Sequence, residues 1–342
     1  MTVTRFGVMG AAVALALACG PALAQKTEVR PPSGMAHEMD AASIATLRGK
    51  VPSYVDMTDA EINESMGRMP PDWAWYGSAE TVKDDIGVLV VAHGSGTMGD
   101  KVLQEGVLPL GEKHPTAIGF GMAMMSSHHI QEALDKLTNA GAKTVVVVPA
   151  VVTEQSSVYR QWAYLLGRRD DSAYLDVPRV KTSAKLVVAP AMDEHPMVTD
   201  ILFDHTKAIS TNPAQEVVIL LGHGPTFDHE NEIELKHIAT HAARIKDRGN
   251  FFDAKGLTLQ DDAPEATRNA NVAKLRAWVE DANKAGKTPL VVGYLISTRG
   301  IQDKIAEDLK GLTYKFQTKG LSAHPNFTGW IRASVTEQIA GK

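Results

Sequence analysis

Two histidines occupy matching places in the sequence, each near the end of an apolar run and before a glycine. His93 follows the run at 86–92, and His223 follows the run at 217–221. If these runs are parallel strands, both imidazoles lie at strand carboxyl ends, where α/β sheets bind ligands. An imidazole there can ligate a divalent metal or transfer protons near neutral pH. A histidine that only bonds its own loop is the alternative, and the duplication favours a functional role.

The residues that follow these histidines suit a bound ligand. Gly94 and Gly224 allow a ligand to approach the backbone closely, and free N–H groups there, with Ser95, suit an anion. Glu154 follows another Val-rich strand, so its carboxylate is a further candidate metal ligand at the same sheet edge. The pattern predicts a polar site at the carboxyl ends of the strands.

Other histidines occur in close pairs. His128 and His129 open a predicted helix and are candidate metal ligands, but adjacent side chains cannot both point at one site, and solvent exposure is equally compatible. His237 and His241 are four residues apart on one helical face, one turn after Glu234. They could share a zinc ion. A solvated helix face is the favoured interpretation, since the metalloprotease spacing is absent.

The remaining candidates are expected to be structural. His195 and His324 each precede a proline, which indicates a helix start. A predicted strand at 118–125 holds three methionines, for which core packing is favoured over contact with a soft metal or a flat ligand: Met122, Met124 and Met125.

The composition excludes several classes of protein. The 342 residues include 35 Lys+Arg and 40 Asp+Glu, a formal charge of −5, so no basic excess favours nucleic-acid binding. Apolar residues make up 44%, as in ordinary globular proteins. Walker, GxGxxG and GxSxG motifs are absent, which counts against ATP, dinucleotides and serine hydrolysis.

The first 24 residues have the features of a secretory signal peptide. Arg5 precedes an apolar run at 7–18 that is too short to cross a bilayer, and 22–24 form a small-x-small cleavage site. Cleavage before Gln25 would remove Cys19, the one cysteine, so we expect a periplasmic or secreted protein. A lipoprotein anchored through Cys19 is the less favoured alternative. No other run is long enough for a membrane span.

From residue 86 the chain alternates apolar strands with amphipathic helices, which predicts an α/β fold with parallel sheets. The main predicted strands are 86–92, 144–149, 186–189, 217–221 and 289–295, and the main predicted helices are 130–140, 232–248 and 270–285. Residues 25–85 form an N-terminal arm with a capping box at Thr58 and Glu61. The aromatic residues at its end are expected to fasten it to the core: Trp73, Trp75 and Tyr76.

Three segments recur in the same order, which predicts a duplication. GVLVVAHGSG at 87–96 resembles VVILLGHGPT at 217–226, AGAK at 140–143 resembles AGK at 285–287, and EHPMV at 194–198 resembles AHPNF at 323–327. We therefore expect two similar three-layer lobes at 86–208 and 213–342, related by a pseudo-twofold, with a ligand cleft between them.

These motifs resemble the CbiX-like class II chelatases, in their long two-lobed form. A strand ending in His-Gly-Ser, a helix, Gly-x-Lys and an apolar strand ending in Val-Pro carry the resemblance, which covers about 86–340. It implies a tetrapyrrole of the sirohydrochlorin type in the cleft, with Co²⁺ or Fe²⁺ inserted without ATP and with His93 and His223 as metal ligands. Zn²⁺ or Ni²⁺ also suits imidazole. Ring carboxylates could meet one of four arginines: Arg160, Arg168, Arg169 and Arg299.

The chain departs from the family pattern at one place in each lobe. Family members have a second histidine after the Val-Pro strand, and the matching positions here are Ser157 and Ile301. Either the histidines at 93 and 223 act together across the cleft, or His128, His129 and Glu154 substitute. The alternative function is a non-catalytic carrier of metal or haem on the same scaffold.

Overall fold

The computed structural model describes residues 39–69, 71–298 and 300–340. Its strands are β1 (Trp73–Tyr76), β2 (Ile86–Ala92), β3 (Thr116–Phe120), β4 (Thr144–Pro149), β5 (Lys185–Val188), β6 (Glu216–Gly222), β7 (Asp253–Thr258), β8 (Thr288–Tyr294) and β9 (Lys315–Gln317). Its α-helices are α1 (Ala41–Lys50), α2 (Asp59–Gly67), α3 (Gly96–Gly111), α4 (His128–Asn139), α5 (Ser157–Leu165), α6 (Pro196–Ile209), α7 (Asp228–Gly249), α8 (Glu265–Lys284), α9 (Ile301–Asp308) and α10 (Pro325–Ala340). The signal peptide expected at 1–24 lies outside the described residues.

The first lobe contains a five-stranded sheet in the order β1-β3-β2-β4-β5. Strands β2 to β5 are mutually parallel, and β1 runs antiparallel to β3 at the edge. The inner strands β2 and β4 are rich in Val and are buried almost throughout. Such continuous apolar runs arise because helices cover both faces of a parallel sheet.

The second lobe repeats this arrangement. Its sheet has the order β7-β6-β8-β9, and all of its strands are parallel. The parallel strands of the first sheet have the matching order β3-β2-β4-β5, so β2 and β6 hold corresponding central positions. The expected fold class, two similar α/β lobes with parallel sheets, is confirmed, and β1 adds an antiparallel edge that the sequence did not indicate.

The two lobes share one hydrophobic core. A single cluster of buried residues runs from the inner face of the first sheet, through α3, α6 and α10, to the inner face of the second sheet and α7. The C-terminal helix α10 contacts both α3 and α6 and contributes Trp330, which is 1% exposed. Separate clusters lie on the two outer faces. Among the described helices, none has the length and apolar character needed to cross a membrane.

Two groups of apolar contacts help to attach the N-terminal arm to the first lobe. Trp73 in β1 stacks on Phe120 in β3, with ring centroids 4.8 Å apart. Farther along the arm, α1 and α2 bury Leu47 and Ile62 in a cluster that includes Met124 of the first lobe. The aromatic end of the arm therefore fastens it to the core, as an added strand.

The strand expected at 118–125 was wrong in its second half. β3 ends at Phe120, and the next residues form turns in which Gly121 has φ +143° and Ala123 has φ +59°. These positive φ values cannot continue a strand. Met124 is buried under the arm, whereas Met125 is 40% exposed. The stretch that contains Met122, Met124 and Met125 is a loop at the carboxyl edge of the sheet. A strand was predicted here because the stretch is as apolar as a buried strand.

Candidate functional site

His93 and His223 have the same local geometry at the ends of central strands β2 and β6. Each ring places Nδ1 2.8 Å from the carbonyl oxygen of the next residue, Gly94 or Gly224. The tautomer that fits this contact donates Nδ1–H to the carbonyl and leaves the lone pair on Nε2. Both rings are therefore oriented to act as neutral ligands or bases. We call them the histidine pair.

The glycines after the histidine pair are required by the backbone. Gly94 has φ +85° and Gly224 has φ +82°, conformations that other residues rarely adopt. A Cβ on Gly224 would also lie 2.7 Å from the Cβ of Thr258. The backbone N–H of Ser95 donates to Oδ1 of Asp100 at 2.7 Å, so this amide is not free for an anion as the sequence had led us to expect.

The pKa values of the two rings shift in opposite directions, and the charge of His223 affects the pKa of His93. Loss of water lowers the pKa of His93, and the charge of His223 lowers it further, although the contact with Gly94 opposes both. Burial also lowers the pKa of His223. The Asp262 carboxylate, 3.7 Å from Nε2, raises this pKa, and the pKa of His223 is raised overall. His93 is thus favoured as the neutral imidazole, and His223 holds a proton more readily.

Side chains of the two lobes contact each other near His223 in the sequence. Ser157, at the first turn of α5, has its Oγ 3.4 Å from Oγ1 of Thr226 in the other lobe. Arg160 forms an ion pair with Glu230 at 3.0 Å and lies over the Phe227 ring, 5.3 Å from its centroid. Ser157, which stands where the family resemblance implies a second histidine, therefore faces Thr226 of the second lobe. Thr226 is three residues after His223.

The four candidate arginines are in different situations. Arg160 is 17% exposed and is already engaged by Glu230. Arg168 and Arg169 are exposed, and Arg169 pairs with Asp171 at 3.3 Å. Arg299 lies outside the described residues. Of the described three, Arg160 is the one held at the interface between the lobes.

The inner face of α7 is buried and polar, so the interpretation of this helix as a solvated face was wrong. Glu234 is 1% exposed and His241 is fully buried, because α7 packs against α6 and the loop after β5. His237 faces Asp193, with Nδ1 3.2 Å from Oδ1. The sequence did not single out Asp193, since it lies in the other lobe, far along the chain.

Glu154 belongs to this polar region. Burial raises the pKa of Tyr159 to about 12, and the charge of Glu154 and its contact with the Tyr159 hydroxyl add to this effect. Burial raises the pKa of Asp193. The charge of His237 lowers this pKa, and the charge of Glu154 raises it. Glu154 therefore lies near Tyr159 and Asp193.

His128 and His129 are separated by the fold. His128 is exposed at the start of α4, whereas His129 is 1% exposed with both ring nitrogens buried and lacking hydrogen bonds. Its Nδ1 lies 3.4 Å from Asp72, and loss of water lowers the pKa of His129 to about 3. In this arrangement neither nitrogen of His129 is available to a metal.

His195 and His324 are helix caps. Each precedes the proline that opens α6 or α10, and each Nδ1 accepts a backbone hydrogen bond, from Met197 at 3.2 Å and from Asn326 at 3.1 Å. Among the described residues, no three His, Cys, Asp or Glu side chains are grouped so that they could hold a metal ion. A metal at the histidine pair would therefore have few protein ligands and would exchange easily.

Comparison with known proteins agrees with the fold. Residues 87–209 match the family model of CbiX. No curated protein sequence matches the chain. The structure of SirB from Bacillus subtilis with Fe³⁺ superposes with a TM-score of 0.56 and 16% identity, covering 75% of this chain and 96% of SirB.

A second solved structure gives a similar result. The sirohydrochlorin chelatase SirB from Bacillus subtilis subspecies spizizenii, in complex with cobalt, superposes with a TM-score of 0.53 and 14% identity. It covers 75% of this chain and 95% of that one. At such identity the likeness establishes the fold, and the family match lies in the first lobe. The first lobe is therefore a CbiX-family domain, in a chain that has the two-lobed fold of the SirB structures.

Proposed function

We propose that this chain is a chelatase-like protein that holds a divalent metal at the histidine pair and inserts it into a tetrapyrrole of the sirohydrochlorin type. The observation that carries the proposal is the matched geometry of His93 and His223, both with Nδ1 bonded to the next carbonyl and Nε2 left as a ligand atom. The SirB structures, which hold Fe³⁺ or cobalt, support it by their fold.

Metal insertion requires a weakly held metal, a base and an apolar surface for the ring, and features of the residues around the histidine pair support this proposal. The metal is a substrate, so its ligation must be weak enough for transfer to the ring, which agrees with the few protein donors near the histidine pair. Neutral imidazole binds Co²⁺ and Fe²⁺ and also accepts protons. Phe227, four residues after His223 and 36% exposed, offers an apolar surface to a flat macrocycle.

The proposal is tested by mixing the purified mature protein with sirohydrochlorin and Co²⁺ and following the absorbance of the macrocycle. We expect the metallated spectrum to appear faster than in the protein-free reaction. A protein that leaves the rate unchanged is not a chelatase for this ring and metal. Repeating the assay with Fe²⁺, Ni²⁺ and Zn²⁺ determines which metal is preferred.

The alternative is a carrier that binds metal or haem without catalysis. Ser157 and Ile301 stand where the family has its second histidine, and the described residues contain no group of three metal-binding side chains. A carrier needs stable binding, whereas a chelatase needs release into the ring. Tight binding of metal or haem, together with no acceleration of insertion, would establish the carrier.

We expect Ser157→His to tighten Co²⁺ binding. The Ser157 side chain points across the cleft towards Thr226, beside His223, so an imidazole here adds a third donor. Because even groups outside the ligand shell change metal affinity by 10–100-fold, a new ligand should tighten binding at least about tenfold. Isothermal titration with Co²⁺ measures the change. Asn269→His, on the exposed surface of α8, is the control, and equal gains in both variants would contradict the prediction.

We also propose that the protein is exported, on the basis of the signal-peptide features at 1–24. N-terminal sequencing of the protein from fractionated cells should then find Gln25 as the first residue. Full-length protein in the cytoplasm would contradict export, and a lipid-modified Cys19 would establish the lipoprotein alternative.

A further inference from the structure

An ion pair between Arg160 and Glu230 joins the two lobes. Arg160 lies on α5, which follows β4 of the first sheet, and Glu230 lies on α7, which follows β6 of the second. Nη1 of Arg160 is 3.0 Å from Oε1 of Glu230. Nη2 of Arg160 donates to Oγ of Ser157 at 3.0 Å, and Ser157 in turn contacts Thr226 of the second lobe. Arg160 therefore belongs to a group of polar contacts between α5 and the start of α7.

The ion pair uses only part of the hydrogen-bonding capacity of its two groups. A guanidinium and a carboxylate can form two parallel hydrogen bonds. Here Nε of Arg160 and Oε2 of Glu230 are both buried without a hydrogen bond, so this bidentate arrangement is not formed. Burial raises the pKa of Glu230, against the charges of Arg160, His229 and Arg169, which lower it. The cation therefore compensates the burial of the carboxylate only in part, and another carboxylate that also bonds Nε would be a better partner for Arg160.

The second lobe has a lysine at the position equivalent to Arg160. The duplication matches Arg160 with Lys304, since each lies three residues after the position of the family's second histidine. Lys304 forms an ion pair with Asp261 of its own lobe, and Asp261 also pairs with Arg268 at 2.7 Å. The cation of the second lobe is thus held within that lobe. Arg160 instead pairs with a carboxylate of the other lobe, so its partner is not fixed by the packing of its own sheet.

The surroundings of Arg160 indicate which ligand chemistry can replace Glu230. The guanidinium lies over the Phe227 ring, 5.3 Å from its centroid, and Phe227 is 36% exposed. The Arg160 side chain is itself 17% exposed, whereas that of Glu230 is 7% exposed. A cation beside an exposed aromatic ring suits a ligand with a flat apolar body and a carboxylate at its edge. A tetrapyrrole of the sirohydrochlorin type has both features.

Building on the proposed function, we propose that a carboxylate of the tetrapyrrole displaces Glu230 from Arg160, so that this ion pair closes the interface between the lobes until an acidic ring binds. Arg160 then holds the edge of the ring. The released carboxylate remains stabilised by the positive end of the helix, because Glu230 lies in the first turn of α7. A ring without carboxylates cannot make this exchange, so the ion pair selects acidic rings.

The test measures how tightly metal-free sirohydrochlorin binds to Arg160→Gln and to Glu230→Gln, by titration of its fluorescence. The two substitutions should act in opposite directions. Arg160→Gln removes the contact with the ring and should weaken binding by about tenfold, which is typical of one contact to a charged group. Glu230→Gln removes the competing carboxylate and should tighten binding by about fivefold. The double variant should bind as weakly as Arg160→Gln, because the gain from Glu230→Gln requires the guanidinium.

A second ion pair between the lobes supplies the matched control. Arg248 on α7 pairs with Asp200 on α6 and lies over the Phe203 ring, 4.1 Å from its centroid. This pair has the same chemistry, but at 1.5 Å per residue it lies about 27 Å farther along α7 than Glu230. Arg248→Gln and Asp200→Asn should therefore leave the affinity for sirohydrochlorin unchanged. A flat ring without carboxylates, tetra(N-methylpyridyl)porphyrin, should bind Glu230→Gln no more tightly than it binds the wild type.

The outcomes separate this inference from the proposed function. Weaker binding in both single variants shows that the ion pair only holds the lobes together, and overturns the inference. Unchanged binding in both overturns it as well, and leaves the chelatase standing if the wild type inserts Co²⁺. Opposite shifts without insertion keep the inference and reject the chelatase, and no binding of the ring by the wild type overturns both. If Arg160→Gln does not fold, Arg160→Lys takes its place, and its affinity should also fall below that of the wild type.

Discussion

Replacing either member of the histidine pair by alanine should weaken Co²⁺ binding by about 100-fold or more, since even partners outside the ligand shell are worth 10–100-fold. The double variant His93→Ala/His223→Ala should bind no Co²⁺ at this site. The reason is geometric, because each imidazole has one nitrogen fixed by a carbonyl and the other left for a ligand. Isothermal titration measures the affinity, and the sirohydrochlorin assay measures the matching loss of insertion.

The two single variants should not be equivalent. His223 has Asp262 beside its Nε2, so His223→Ala leaves that carboxylate near the metal, whereas His93→Ala removes the ligand that is most readily neutral. We expect His93→Ala to have the larger effect. The control is His128→Ala, which removes an exposed imidazole at the start of α4. Unchanged Co²⁺ affinity in His93→Ala would contradict the assignment of the pair.

The sheets could be predicted from the sequence because their strands are buried on both faces. Runs such as Thr144–Pro149 have no polar alternation, and the matching runs of the second lobe occur in the same order. The antiparallel strand β1 could not be predicted in this way. Its four residues, Trp73–Tyr76, are aromatic for their contact with β3, a partner that the local pattern does not reveal.

Only part of the site was accessible to the same reasoning. Duplication led to the prediction that His93 and His223 form the site, because a repeated strand-end histidine can be recognised locally. Asp262 and Asp193 could not be found, since they reach the site from loops distant in sequence. A signal for α7 did exist: Glu234, Ile238, His241 and Ile245 follow the helical spacing of a buried face. This signal was missed because polar residues on a helix were assumed to be exposed.

The burial of Glu234 leads to a large and pH-dependent effect on stability. We expect Glu234→Gln to raise the free energy of unfolding at pH 8 by up to about 3 kcal/mol, the equivalent of moving a carboxyl pKa from 4.5 to about 7. For a chain of this size, that corresponds to a melting temperature higher by about 5 °C. Gln has almost the same shape and carries no charge, so the change isolates the cost of ionising this side chain in the core.

The sign follows from the two protonation states. The folded pKa of Glu234 is raised above its unfolded value, so between pH 4.5 and about 7 the folded state keeps a proton that the unfolded state has lost. Stability therefore falls as pH rises through this window, and the loss is complete above it. Thermal melts of wild type and Glu234→Gln should coincide near pH 4.5 and diverge by pH 8. Glu232→Gln, exposed on the same helix, is the matched control and should follow the wild type at both pH values. Equal melting temperatures for wild type and Glu234→Gln at pH 8 would show that the buried carboxyl ionises without cost.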